Sequence, residues 1–530
     1  MIDVSSLRLK PRVAASFATA LAFLAGSLFF SSPANAVTAE QLLEVLRKKG
    51  VINDEEYEIL AGKKESPKSE APPRDPPAAA AKEEPKPAAT PVADANPKDG
   101  IAAKFKDGIT WESADKSTTI GLRGRVEADY RAFLGDDALG ADTWDLRRAY
   151  LAVEGKFYDD IDFRVRMNFS DVAGPTATVC TAVGTNASGA PVCTATTTVT
   201  TTNTTSLDEA WLNLGWWKAA QIKVGQTKMP FGLDQNTSDI FTDFQERSMG
   251  DSLQPGKERG LVVYGSPLKG LNYGIAYSNG QGRNGNDTNE TIDGKDWIGR
   301  ASVNVAEMAG LKNAVLHLGT SFSVGTSPVA AAPTGRTEAR GIQFFRPLAF
   351  SGNDVDRTRY GIESAFAWGP VKLQSEFFRV NFDGTSSGGV AYSRDIDAYY
   401  ANLTWLVTGE HYAEFFRADK MNRIRPKTNF APGKTCCGAW ELGLRYSKFD
   451  AGDFKSSNAA GTGVIPSTGT SAADAWTLGV KWIINPNTRF MLNYIRTNFD
   501  NTITVTPAAP GKATQTDKES AITVRGQFDF

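Results

Sequence analysis

Glu519-Ser520-Ala521-Ile522-Thr523-Val524-Arg525-Gly526-Gln527-Phe528-Asp529-Phe530 reads at period two. Ile522, Val524, Gly526, Phe528 and Phe530 share one face, and Thr523, Arg525, Gln527 and Asp529 share the other. Side chains alternate along a strand, so the stretch presents one apolar wall and one wet wall. A half-apolar strand at a chain end leaves an open hydrogen-bonding edge unless something pairs with it. Closure into a barrel within a membrane answers both problems, because lipid covers the apolar wall and closure removes the edge. The expectation is many more strands of this kind and no spanning helix.

The pattern recurs from about Thr118 onward. Ile120, Leu122, Val126 and Tyr130 alternate with Arg123, Arg125, Glu127, Asp129 and Arg131. Phe163, Val165 and Met167 alternate with Arg164, Arg166 and Asn168, and Leu442, Leu444 and Tyr446 with Glu441 and Arg445. A soluble sandwich rarely alternates arginine with apolar residues so regularly. The spans that fit are 118–134, 142–155, 160–169, 206–217, 220–227, 259–267, 270–279, 296–306, 313–325, 356–368, 371–382, 393–408, 439–449, 474–484, 488–499 and 518–530. A further run, His411 to Arg417, would make the total odd. Bacterial single-chain barrels have even strand numbers, so it is set aside and an all-β, antiparallel transmembrane barrel of about 16 strands is expected. Short connections alternate with long polar ones, as periplasmic turns and outer loops do. The exception is 409–438, which is long where a short turn is due; its aromatics and arginines suit a segment folded into the lumen. Tryptophan and tyrosine at strand ends, such as Trp216-Trp217, Trp368, Trp440 and Trp482, fit interfacial girdles.

The first 117 residues are different. Arg8, Lys10 and Arg12 precede an apolar run from Val13 to Phe30, and Ala34-Asn35-Ala36 supplies a small-x-small site. This predicts a signal peptide, 1–36, and export. Residues 37–62 carry the helical pattern of the mature chain, expected to form two short periplasmic helices with cell-wall contact or self-association as their role. Residues 63–117 read as a Pro/Ala-rich linker and lead-in, followed by the barrel, 118–530. The formal net charge of −2 argues for no nucleic-acid partner. Cys180 and Cys193 sit in one exported Thr/Ala-rich stretch where a disulfide as a loop staple is permitted, whereas the adjacency of Cys436 and Cys437 is poor geometry for an ordinary disulfide. His317 and His411, without ligand spacing, predict no metal, and no cofactor is expected.

No catalytic constellation emerges: nothing marks a base beside a nucleophile. Gly280-Gln281-Gly282-Arg283-Asn284-Gly285 matches a dinucleotide fingerprint by letters, but lies between two antiparallel strands and reads as an outer loop. The chemistry concentrates in the lumen. Inward basic residues include Arg123, Arg125, Arg131, Arg148, Arg164, Arg166, Lys223, Arg300, Arg357, Arg359, Lys372, Arg445, Lys481, Arg489 and Arg525. They outnumber inward acids such as Glu127, Asp129, Glu154, Glu209, Glu363, Glu376 and Glu441. A narrow channel focuses such a field and favours small anions, and arginine forks suit phosphate or carboxylate oxygens. A compensated wall of ion pairs is the bland alternative.

Lys223-Val224-Gly225-Gln226-Thr227-Lys228-Met229-Pro230-Phe231-Gly232-Leu233-Asp234 resembles the phosphate-selective porin O and P family. Arg147-Arg148-Ala149-Tyr150, Asp208-Glu209-Ala210-Trp211, Gln245-Glu246-Arg247 and Asn485-Pro486-Asn487 add to the likeness, which runs in order from about 118 to 530. The resemblance implies a trimeric, 16-stranded outer-membrane channel in the lipid bilayer, with passive diffusion of small hydrophilic solutes and phosphate as the candidate anion. It implies that the loop at roughly 228–258 folds inward as the constriction, and that the 409–438 turn and the 326–355 loop enter the lumen. On that basis the anion path is Arg123, Arg125, Arg131, Arg147, Arg148, Arg164, Arg166, Arg247, Arg357 and Arg359. The constriction is Asp234, Gln235, Ser238, Asp239, Asp243 and Glu246. Phosphate-selective members carry lysines on that loop, and this chain carries acids. The alternatives are a general or cation-preferring porin and an envelope-tethering protein with a secondary pore.

Overall fold

Alternation gives every strand two unlike faces, and the faces are sorted by closing the sheet on itself. The computed structural model of the protein describes residues 101–105, 107–135, 140–170, 177–185, 191–199, 206–283, 294–327, 333–347, 350, 355–386, 388–433, 437–455, 465, 468–504 and 514–530. The expectations for the signal peptide, the 37–62 helices and the linker up to residue 100 lie outside these residues, as do the side chains of Cys180 and Cys193.

The barrel strands are β1 (Thr119–Leu134), β2 (Thr143–Phe157), β3 (Ile161–Asn168), β4 (Ser206–Trp217), β5 (Ala220–Lys228), β6 (Lys257–Leu268), β7 (Leu271–Ser278) and β8 (Asp296–Asn304). They continue with β9 (Ala314–Ser327), β10 (Val355–Trp368), β11 (Val371–Thr385), β12 (Ala391–Leu406), β13 (Ala439–Asp450), β14 (Ala472–Asn485), β15 (Thr488–Thr504) and β16 (Gln515–Asp529). Each pairs antiparallel with its sequence neighbours, and β16 pairs with β1 through Thr523↔Arg131, Arg525↔Asp129 and Asp529↔Arg125. Closure is completed by Phe530 and Gly124, which exchange two backbone hydrogen bonds of 2.9 Å. A Cβ on Gly124 would stand 2.2 Å from the Phe530 ring, so only glycine fits there. All sixteen expected spans are strands.

The burial pattern is inside out relative to a soluble protein. Arg525 is 1% exposed while Phe528, three residues on, is 48% exposed. Ile522, Val524, Leu444, Leu478 and Leu492 also face outward, as a lipid-covered wall requires. Aromatics form two bands. Trp440 and Trp482 stack at 5.3 Å beside the short turns, and Tyr130–Trp144 and Tyr277–Trp297, each at 4.8 Å, sit at the long-loop end.

Three features depart from the plain pattern. Within the stretch expected as lead-in, Ala102–Phe105 and Ile109–Glu112 form a hairpin whose second strand pairs with the start of β1. His411 to Arg417 is not a barrel strand: Tyr412–Glu414 is a 3-10 turn, and Phe416–Arg417 pairs only with Lys420–Met421. Cys437 is disulfide-bonded.

Two connections fold inward. Tyr412, Phe415, Phe416, Met421 and Ile424 bury against Leu233, Val315, Ala365, Leu406 and Ile483. From the other end, Ile342, Phe344, Phe345 and Phe350 pack on Phe382, Phe449, Phe454 and Phe499. An apolar side chain that turns into a polar lumen needs such a cluster to leave water.

Candidate functional site

The β5–β6 connection, residues 229–256, is the segment around which the lumen is arranged. It begins Met229-Pro230-Phe231-Gly232, and Met229 and Phe231 are anchored among Val262, Ala276, Ile298 and Phe378. Gly232 has φ +68, and its N–H donates to Ser321 at 3.1 Å. The Leu233 and Asp234 N–H groups donate to the two oxygens of Glu376 on β11, the latter at 2.9 Å. The segment then touches strands far around the barrel. Lys372 on β11 donates to Asp243 at 2.6 Å, and Asn402 on β12 to the same carboxylate at 3.1 Å. Lys481 on β14 donates to the Thr242 carbonyl at 2.9 Å and Arg489 on β15 to the Ile240 carbonyl at 2.5 Å. A segment leaving between β5 and β6 reaches β11 to β16 only by crossing the lumen.

The arginines of β1, β2 and β16 hold the loop's acids. Arg125 Nη2 and Arg148 Nε lie 3.1 and 2.9 Å from Asp239 Oδ2. Arg147 bonds Glu246 through two nitrogens at 2.8 and 3.1 Å, and Arg525 reaches Glu246 at 2.6 Å. Strict alternation would send Arg147 and Arg148 to opposite faces. Here Glu127 pairs with Arg148 and Ala128 with Leu146, so Arg147 is the extra residue of a β-bulge and both arginines turn inward. A second bulge does the same for Asp208 and Glu209, both of which pair with Arg166. Behind this layer Arg125, Arg148 and Arg525 share Glu127, and Arg525 also bonds Asp129 at 2.7 Å.

The remaining residues read from the sequence are also engaged. Arg131 bridges Asp129 and Asp145 at 2.9 and 3.0 Å, and Arg123 bonds Glu154 at 2.9 Å. Arg164 pairs with Glu154 and, at 3.4 Å, Glu209. Arg357 and Arg359 both hold Asp296, at 2.7 and 2.9 Å, near the outer mouth. Arg247 lies on the loop itself and ties it internally, donating to the Asp234 and Thr237 carbonyls at 3.0 and 2.9 Å. Gln235 is buried within the loop, and Ser238 lines open space. His317 is buried with Nε2 2.7 Å from Glu363, a wall contact. The Gly280 loop is held by its own N–H on Glu258 at 2.9 Å, an outer-loop tether.

Beyond its anchored start the loop's contacts run from β11 through β2 and leave space against β3 to β8. That space is a cavity of about 430 Å³. Its basic lining is Arg164, Arg166, Lys223, Lys228, Arg300 and Lys420, and its acidic lining is Glu209, Asp239 and Asp419. The acids are spoken for: Glu209 by Arg166 and Arg164, Asp239 by Arg125 and Arg148, Asp419 by Arg300. Lys228 Nζ donates to the Thr237 carbonyl at 3.2 Å. Lys223 Nζ stands 4.3 Å from the Trp211 ring and 4.9 Å from the Tyr264 ring. Among the described residues neither lysine has a carboxylate in ion-pair range. Lys228, Trp211 and Tyr264 had no place among the sequence-derived site residues; inward alternation on β4 and β5 marks Trp211 and Lys223, but nothing local says which basic residues stay unneutralised.

The loop carboxylates are tuned in opposite directions. Burial pushes Asp239 up, but Arg125 and Arg148 outweigh it and hold the group well below the usual range. Burial likewise opposes, and Arg147 and Arg525 overcome, for Glu246, which is also held well below. Asp234, where burial dominates and Arg247 only partly offsets it, is raised to about 6.

Comparison with known proteins follows this geometry. Residues 120–530 match the family model of phosphate-selective porin O and P. Porin O of Pseudomonas aeruginosa is 24% identical over 428 residues, covering 76% of this chain and 87% of that protein. Among solved structures, an anion-selective porin from Comamonas acidovorans matches at TM-score 0.44 and 12% identity, over 78% of this chain and 100% of that one. The outer membrane channel DcaP of Acinetobacter baumannii matches at 0.41 and 10%, over 79% and 99%.

Proposed function

This chain belongs to the phosphate-selective porin O and P family and is an outer-membrane porin, and from that premise we propose that its lumen prefers small anions, with phosphate as the candidate solute. One observation carries the proposal. The loop carboxylates Asp239, Asp243 and Glu246, which by sequence would repel anions, are neutralised by Arg125, Arg148, Lys372, Arg147 and Arg525. The cavity beside them is lined by Lys223 and Lys228, neither of which has a carboxylate in ion-pair range among the described residues. In a narrow channel an uncompensated positive lining raises the local anion concentration. The family's description and the name of the P. aeruginosa relative support phosphate in particular.

Assembly as a homotrimer belongs to the same proposal. β3 and β7 have 8 residues and β5 and β8 have 9, whereas β9 to β12 have 14 to 16. At about 3.4 Å per residue and a tilt of about 40°, an 8-residue strand spans roughly 21 Å, short of the lipid band of about 25 Å. A wall that cannot match the bilayer is better covered by another copy.

The test is the zero-current potential of the purified channel in a planar bilayer under a KCl gradient, followed by phosphate addition. An anion-selective potential with chloride current reduced by phosphate is the expected result. A near-zero or cation-selective potential overturns the proposal.

A further inference from the structure

The lumen cavity has a chemical asymmetry that an inorganic anion does not need. Lys223 projects between two aromatic rings, Trp211 from β4 and Tyr264 from β6, with its ammonium within 5 Å of both centroids. Among the described residues it makes no ion pair and no hydrogen bond. A cation held over π faces is stabilised by the ring quadrupoles while keeping its charge available. Tyr264 is fixed in place: its hydroxyl lies 3.0 Å from the Asn213 amide oxygen and 3.3 Å from that of Gln221. The same Asn213 amide donates to Asp162 and Gln221, both at 3.0 Å, so the aromatic wall is braced from behind.

For a tetrahedral oxyanion this wall offers little. Phosphate is satisfied by many N–H and O–H donors, and here the Tyr264 hydroxyl is already engaged and Trp211 has one donor. For a planar organic anion it offers two ring faces beside a cation. Trp211 and Tyr264 also line a second cavity of about 290 Å³ that contains Arg123, Glu154 and Asp162. The pair therefore presents ring surface to both cavities.

We infer that the Trp211–Lys223–Tyr264 stack is a binding station for small aromatic carboxylates, with the carboxylate on Lys223 and the ring on Trp211 or Tyr264. The station rests on the anion-preferring proposal and names a solute class for the same lumen. Stacking and apolar burial act only on the ring-bearing anion, whereas charge acts on benzoate and acetate equally.

The test uses the full-length channel in planar bilayers, with sodium benzoate, sodium acetate and inorganic phosphate as blockers of chloride current. Benzoate is expected to half-block at a concentration about tenfold below acetate, a difference of about 1.4 kcal/mol. Trp211→Leu is expected to remove that advantage, bringing the benzoate-to-acetate ratio of half-blocking concentrations close to one. Lys223→Gln is expected to weaken benzoate by a similar factor, and it serves as the second variant should Trp211→Leu fail to assemble; chloride conductance identifies an assembled channel. An anion-selective wild type that treats benzoate and acetate alike overturns the station and leaves the anion preference standing. A cation-selective wild type overturns both.

Discussion

Replacing Asp239 with asparagine separates the loop's anchoring from its charge. Asp239 Oδ2 accepts from Arg125 at 3.1 Å and is ion-paired with Arg148 at 2.9 Å, and the carboxylate lines the lumen cavity. Asparagine keeps an acceptor of the same shape and loses the charge. The arginines stay charged, so the Arg125 hydrogen bond survives on the amide, and what the loop loses is ion-pair attraction of about 1 kcal/mol for each arginine at the dielectric of water. The strands are spared, because Arg125 and Arg148 both keep Glu127, at 3.4 and 2.6 Å. The lining loses one of its three acids. A unit charge 4 Å from an ion is worth about 1 kcal/mol at the dielectric of water and about 4 at an effective value of 20. Taking the wet limit, chloride gains about fivefold, potassium loses about fivefold, and the permeability ratio moves about 25-fold toward chloride. The assay is the zero-current potential across a KCl gradient, centred near 0.1 M and then near 1 M. Screening lengths of about 10 and 3 Å predict a large shift at the first and a small one at the second. Asp243→Asn is the control, since Asp243 is held by Lys372 and Asn402 away from the cavity lining. An unchanged ratio for Asp239→Asn at low salt, or an equal shift for Asp243→Asn, would refute the reasoning.

Other outcomes follow from the same contacts. Glu338, buried on the inturned 333–347 loop, accepts from Arg445 at 3.0 Å, Ser447 at 2.6 Å and Thr477 at 2.7 Å. Glu338→Ala leaves Arg445 unpaired at about 3–5 kcal/mol; conductance should rise and trypsin should cut at Arg336 or Arg340, and intact resistance to trypsin would contradict the tether. Acidity should act on the 229–256 loop in two directions. Asp239 and Glu246, held low, stabilise the docked loop fully above their free values of 3.8 and 4.5, and this is lost as pH falls through their docked values. Asp234, raised to about 6, acts with the opposite sign, its contribution falling between 3.8 and 6. Docking should therefore be tightest near pH 4 and weaken by about 2 kcal/mol from 4.5 to 6. Current noise recorded across that range would show it, and noise that does not rise between pH 4.5 and 6 would rule it out. Gly124→Val places a side chain into the Phe530 ring and should cost about 1–3 kcal/mol of closure, read as a smaller folded fraction by heat-modifiable gel mobility; an unchanged fraction would show that the Gly124–Phe530 contact yields without strain.

Much of the barrel was legible because its signal is short-range. Each strand must satisfy lipid on one side and water on the other, so each carries its own evidence, and the sixteen spans could be marked one at a time. The inturned 409–438 segment was also visible, as aromatic and arginine-rich sequence where a turn was due. The bulges at Arg147 and Asp208 were not, because period-two reasoning assigns adjacent residues to opposite faces and one inserted residue cancels that assignment. The hairpin at 102–112 was missed for a different reason: two four-residue strands have little periodicity to read.

The sequence by itself determined the class of fold, the inward placement of the basic residues and the family. Those depend on side-chain alternation and local motif, which are properties of neighbouring residues. Only the tertiary structure decided which charges remain active. Asp239 looked like a gate for cations until closure brought it onto Arg125 and Arg148, more than ninety positions away in each case. Lys223 looked like one basic residue among fifteen until Trp211 and Tyr264 were placed around it, with no carboxylate in ion-pair range among the described residues. Coulomb attraction and hydrogen bonding act over a few ångströms of space, and a closed barrel crossed by its own loop makes those few ångströms independent of distance along the chain.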